Sequence, residues 1–186
     1  SDYSTDKNTK LLLGLEYVLL RRSFLERAKS NKTHLKRDTV FINFGGEDRL
    51  NISLRILKDM VNFNPNLKVK IVLGHSNHHL NSIREYITSS STEIELFLNR
   101  NASEMAEIMW NCDFAVVPCS TILFEAIACK LPFITGAYVD NQKFIAGYFK
   151  SQTSGIVLQN IITDIIPWNN LMNKTYTTNN NLIDGG

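Results

Sequence analysis

The chain has 186 residues, of which 44% are hydrophobic and 20% charged, with a formal net charge of +2 and a pI near 8.4. This is the composition of a globular protein with room for a sizeable core in one domain plus extra segments. It gives no basic face of the kind nucleic acid requires, and the early apolar run Leu11 to Leu20 contains Gly14 and Glu16 and is too short to span a bilayer.

The chain opens without Met on a polar stretch, Ser1-Asp2-Tyr3-Ser4-Thr5-Asp6, with no signal-peptide pattern, so a piece of a longer cytoplasmic protein is expected. An apolar and then basic connector follows, ending in Leu19-Leu20-Arg21-Arg22, with a helix expected around 23–29. From there strand-like and helix-like segments alternate: strand 39–44, helix 51–62, strand 67–73, helix 77–87, strand 93–98, helix 103–111, strand 113–117 and helix 121–130. Strand 132–135, helix 141–150 and a short strand 155–158 continue the series before a helix near 163–174 and a polar tail expected to be frayed. Such alternation predicts an α/β fold, a Rossmann-like doubly wound parallel sheet with right-handed crossovers. It divides the chain into a connector at 1–37, a Rossmann-like domain at 38–160, and a C-terminal helix and tail at 161–186. In the strand order 3-2-1-4-5-6 the first and fourth strands meet at the switch point, where such sheets bind ligands beyond their carboxyl ends.

The loops after those two strands carry the chemistry. The first reads Asn43-Phe44-Gly45-Gly46-Glu47-Asp48-Arg49-Leu50-Asn51. Paired glycines let backbone approach a ligand, and the helix start offers N–H groups to an anion; a tight turn capped by Asn51 explains the same residues. The second loop presents Ser120 and Thr121 at a helix N-terminus, where hydroxyls, amides and dipole favour phosphate. Glu125 stands four residues after Thr121 on the same face, in an otherwise apolar helix. It is either an acceptor for a ribose diol or a buried structural acid paired with a Lys or Arg.

After the fifth strand, Asp140, Asn141 and Gln142 offer helix caps or amides for sugar hydroxyls and phosphate oxygens. His75, His78 and His79 lack the partners of a metal shell and are expected in a solvated loop, and His34 in a surface linker. The three cysteines, Cys112, Cys119 and Cys129, are odd in number, form no Cys-x-x-Cys and lie in apolar surroundings, as reduced cytoplasmic thiols do. Cys119, at a helix start, is expected to be a small core residue rather than an activated thiolate.

Several motifs recur in a fixed order: Leu13-Gly14-x-x-Tyr17-x-Leu19-Leu20-Arg21, Gly45-Gly46-x-Asp48-x-x-Asn51, Asn101-Ala102-Ser103-Glu104-Met105, Ser120-Thr121-x-x-x-Glu125 and Asn141-Gln142. Together they resemble the C-terminal half of the UDP-sugar hydrolases of bacterial pseudaminic acid biosynthesis, which look like the two-domain GT-B glycosyltransferases. The resemblance implies the C-terminal half of a GT-B fold with UDP or a UDP-sugar as partner and neither cofactor nor metal. It puts the diphosphate by Gly45, Gly46, Ser120 and Thr121, ribose on Glu125, uracil on backbone near Ala102, and phosphate or sugar by Asn141 and Gln142. It implies no catalytic residue in this chain, because the family's catalytic His belongs to an N-terminal domain that would be the second partner.

Two positions depart from the pattern. Glu47 stands where relatives often carry Ser or Thr, and Ser120 falls where many carry Gly. Near a diphosphate Glu47 must turn away or alter the ligand. The function so implied is UDP-sugar binding in surface-polysaccharide or nonulosonic acid biosynthesis, with a parent that hydrolyses a UDP-sugar. A UDP-sugar-dependent glycosyltransferase, or a non-catalytic module that has lost the nucleotide, are the alternatives.

Overall fold

The strands β1 (Thr39–Ile42), β4 (Phe114–Pro118) and β5 (Phe133–Gly136) are buried at every position. Strands apolar on both sides require helices over both faces of the sheet, and the computed structural model, which describes residues 6–12, 17–32, 36–150 and 155–173, has that architecture. With β2 (Lys68–Leu73), β3 (Ile94–Leu98) and β6 (Gly155–Leu158) they form one sheet in the order β3-β2-β1-β4-β5-β6, parallel throughout. The expected doubly wound topology and its switch point between β1 and β4 are therefore present.

Successive strand residues point to opposite faces and so feed two cores. On one face Val40, Ile42, Ile71 and Val116 pack with α2 (Ile52–Phe63), α3 (Leu80–Ser89) and α7 (Trp168–Asn173). On the other, Phe41, Val72, Ala115 and Val117 pack with α1 (Arg22–Lys29), α4 (Ala102–Trp110), α5 (Thr121–Ala128) and α6 (Lys143–Lys150). The segments flanking the sheet lend side chains to both cores. Phe24 of α1 is fully buried in the second, while Trp168 of α7 stacks on Phe63 in the first, at 6.1 Å between ring centroids.

Two helices start later than expected, each for a local reason. α3 starts at Leu80 because Gly74 to His79 form a turn in which the Asn77 side chain accepts the His79 N–H at 2.8 Å. α7 starts after Pro167, since proline fits a helix start and not its interior. The helix expected at 141–150 opens with a 3-10 turn, Asp140–Gln142, before α6. Among the described residues, no helix is long and apolar enough to cross a membrane. The tail from 174 onward, Leu13 and Gly14 of the connector, and His34 lie outside the described residues.

Candidate functional site

The loop after β1 is built around two buried polar side chains. Asn43 donates its amide to the Val72 carbonyl at 2.7 Å and accepts the Gly45 N–H at 3.0 Å, so it ties β1 to β2 and sets the turn. Gly45 then takes φ +89°, a left-handed conformation that glycine adopts without strain, and a Cβ there would meet nothing within 4 Å. The Gly45 backbone is thus bare toward open space.

The helix that follows is capped, though not by the residue expected. Asn51 occupies the N-cap position in left-handed conformation and its side chain makes no cap bond. Instead the Asp48 carboxylate, 5% exposed, accepts the N–H groups of Ile52 at 2.9 Å and Ser53 at 2.8 Å. Burial pushes the Asp48 carboxyl up, opposed by these hydrogen bonds. The expectation that this helix start offers free N–H groups to an anion is corrected here: the chain's own carboxylate holds two of them. Glu47 is exposed and its carboxylate pairs with Arg49, whose guanidinium holds it below the usual carboxylate range.

The loop after β4 is different. Ser120 takes extended dihedrals at the N-cap of α5 but its hydroxyl caps nothing, and Thr121 is exposed. Among the described residues, the N–H groups of Thr121 and Ile122 have no hydrogen-bond partner. One turn deeper, Glu125 is 4% exposed. Its Oε1 accepts both Nε and Nη2 of Arg21, at 3.0 and 2.7 Å. Arg21 stands just before α1, with its guanidinium carbon 5.1 Å from the centroid of the Phe24 ring. Burial raises the Glu125 carboxyl above its ordinary value, while the hydrogen bonds and charge of Arg21 pull it back. The partner that a buried acid requires is a residue 104 positions away in the chain.

The remaining residues singled out from sequence follow the carboxyl ends of several different strands. Ala102 is the first residue of α4, after β3. That helix is closed by a capping box, in which the Asn101 side chain accepts the Ser103 and Glu104 N–H groups and Glu104 accepts the Asn101 N–H. After β5, Asn141 is exposed, whereas Gln142 is buried and its Oε1 accepts the Tyr138 N–H at 3.1 Å. His75 and His79 contact Asn99 and the Arg49 carbonyl respectively. Cys119 is fully buried against the Thr135 hydroxyl and burial pushes its thiol up, as befits a small core residue.

Sheet order decides which of these come together. The loops bearing Gly45–Gly46 and Ser120–Thr121 follow adjacent strands on either side of the switch point, with the Asn141–Gln142 loop next to them beyond β5. Ala102 lies at the opposite edge of the sheet, two strands from β1. Sequence reading missed the roles of Asp48 and Arg21. Asp48 had a signal, a carboxylate shortly before an apolar periodic run. Arg21 had none in the spacing, because its partner is reached only through the packing of α1 on α4 and α5.

No protein-family model matches the chain. Over 134 residues it is 29% identical to the UDP-2,4-diacetamido-2,4,6-trideoxy-beta-L-altropyranose hydrolase of Campylobacter jejuni, covering 72% of this chain and 46% of that protein. Over 158 residues it is 27% identical to the spore coat polysaccharide biosynthesis protein SpsG of Bacillus subtilis, covering 81% of this chain and 44% of the relative. The chain thus spans less than half the length of each. Among solved structures, the glycotransferase of kitacinnamycin shares the fold, with a TM-score of 0.56 at 11% identity over 81% of this chain and 38% of that one. The resemblance carried by the ordered motifs is borne out at modest identity: this Rossmann-like chain is similar to the trideoxy-altropyranose hydrolase and to SpsG, on a fold it shares with a glycotransferase.

Proposed function

We propose that the chain is the nucleotide-sugar-binding domain of a GT-B-like enzyme of surface-polysaccharide or nonulosonic acid biosynthesis, and that its parent hydrolyses a UDP-sugar. One observation carries the reading. α2 and α4 satisfy their N-termini with their own side chains, α3 and α5 do not, and of those two only α5 starts at the switch point. An uncapped N-terminus attracts an anion through its N–H groups and its dipole. It lies at the switch point beside the bare Gly45 backbone, one turn above a buried carboxylate.

In this reading the diphosphate lies against Ser120 and Thr121 and the Gly45–Gly46 backbone. Glu125 accepts from the ribose, backbone near Ala102 reads uracil, and Asn141 reaches phosphate or sugar. Gln142, whose oxygen already accepts the Tyr138 N–H, completes that loop. Hydrolysis also needs a general base and an ordered water. The three buried carboxylates among the described residues are engaged, Asp48 as a cap, Glu125 with Arg21 and Asp113 with the N–H groups of Lys36, Asp38 and Thr39, so in this reading the base comes from an N-terminal half. The 186-residue chain therefore binds UDP and turns over nothing. Calorimetry with UDP tests this: weak binding is expected for the native chain and a loss of roughly tenfold or more in Glu125→Ala. Equal affinity in the two proteins removes Glu125 from the ribose role.

A second reading, a binding module that has lost the nucleotide, is favoured by the exposed Glu47 carboxylate and by the Arg21 guanidinium on Glu125. Crystals soaked at high UDP distinguish the two, since an empty crevice supports the second.

A further inference from the structure

The Arg21–Glu125 pair is more specific than neutralising a buried acid requires. Two of the three guanidinium nitrogens, Nε and Nη2, converge on Oε1. Among the described residues Oε2 accepts no hydrogen bond, and it is not one of the side-chain atoms that are both buried and unpaired. One carboxylate oxygen is therefore held by Arg21, while the other takes no hydrogen bond among the described residues and is not fully enclosed. The holder is itself fixed: Arg21 leads into α1, its guanidinium lies over the buried Phe24 ring, and α1 packs on α4 and α5. The Arg21 side chain is half exposed, so it is not locked in place by burial alone.

Resting on the nucleotide reading above, we infer that Arg21 is a positioning residue for ribose: it fixes the Glu125 carboxylate through Oε1 so that Oε2 accepts a ribose hydroxyl. A carboxylate free to rotate loses rotamer entropy on binding, whereas a clamped one is preorganised. Ribose recognition is thereby tied to the connector that carries Arg21, and a connector displaced from α5 releases the acceptor.

The test measures UDP and 2′-deoxy-UDP binding by calorimetry on the full chain, in the native protein and in Arg21→Ala and Arg21→Lys, with thermal melts to show that each folds. The native chain is expected to prefer UDP by roughly tenfold, one hydrogen bond to a charged acceptor. Arg21→Ala is expected to melt cooperatively and bind both nucleotides about equally, and Arg21→Lys to recover part of the preference. Three results overturn the inference. Undiminished preference in Arg21→Ala makes the pair purely structural. Tighter UDP binding in Arg21→Ala makes Arg21 a competitor of the nucleotide. Native protein that binds neither nucleotide removes the site reading itself, and this inference with it.

Discussion

Gly46 and Gly74 meet backbone to backbone: a Cβ built on Gly74 would lie 2.4 Å from the Gly46 Cα and 2.6 Å from its carbonyl oxygen. The contact joins the loop after β1 to the loop after β2, and with the Asn43 amide on the Val72 carbonyl it fixes where the glycine pair sits above the sheet. Gly74→Ala must push backbone against backbone, which no rotamer change relieves, so a loss of about 1–3 kcal/mol in chemical denaturation is expected. Gly45→Ala has open space around it and suffers only its positive φ, about 1 kcal/mol. Equal melting temperatures for Gly74→Ala and the native chain would mean that the two loops are free to separate.

Capping of α2 gives a second expectation. Asp48 accepts two of the helix's first N–H groups, whereas Asn51 stands at the N-cap position with φ +52° and no cap bond. Asp48→Ala is expected to cost about 1–2 kcal/mol, the range of a lost N-cap. Asn51→Gly is expected to be neutral or slightly stabilising, since glycine suits that dihedral. Urea denaturation of the two variants checks the ordering, and a larger loss for Asn51→Gly would return the cap to Asn51.

The fold was legible because its signals are local. Continuous apolar runs at 40–42 and 114–117 alternate with periodic helices, and right-handed crossovers leave few ways to order the strands. The loops that flank the switch point were legible for the same reason, as glycines and hydroxyls stand at strand-to-helix junctions. The pairing of side chains was not. Asn51 looked like the cap because it precedes the apolar periodicity, yet a left-handed turn through Asp48 and Asn51 brings the earlier carboxylate over the helix end. Arg21 meets Glu125 only after α1 docks on α5, and no pattern within a helix or loop reports a contact between elements so distant in sequence.

The cysteines offer a check on the second core. Cys112, Cys119 and Cys129 are 0–1% exposed, and burial pushes the thiols of Cys112 and Cys129 up to about 12. The thiolate is the reactive form, so a buried thiol with a raised pKa resists alkylation. At pH 8 a water-soluble disulfide reagent is expected to modify none of the three in the native chain and all three in denaturant. Rapid modification of Cys119 in the native chain would restore it as an activated thiol at the start of α5.

Glu125 should show opposite effects on stability and on binding. Burial raises its carboxyl above the ordinary glutamate value, against the pull of Arg21, and the fully buried Cys129 thiol at the C-cap of α5 is uncharged at neutral pH. A folded-state pKa above the unfolded one means that folding favours the protonated acid. Its contribution to stability is complete below the ordinary glutamate pKa of 4.5 and is lost as pH rises through the folded value. At pH 7 ionisation of the buried side chain therefore lowers the stability of the fold relative to the protonated form, and in the proposed function that charge would serve as the ribose acceptor. Glu125→Gln removes the charge and keeps the shape. It is expected to melt above the native chain at pH 7, to lose that advantage as the pH falls toward 4, and to bind UDP more weakly at pH 7. Thermal melts from pH 4 to 8 with calorimetry at pH 7 measure both effects. A Gln variant less stable than the native chain at pH 7 would mean that the Arg21 ion pair outweighs the cost of burial, and that Glu125 serves the fold.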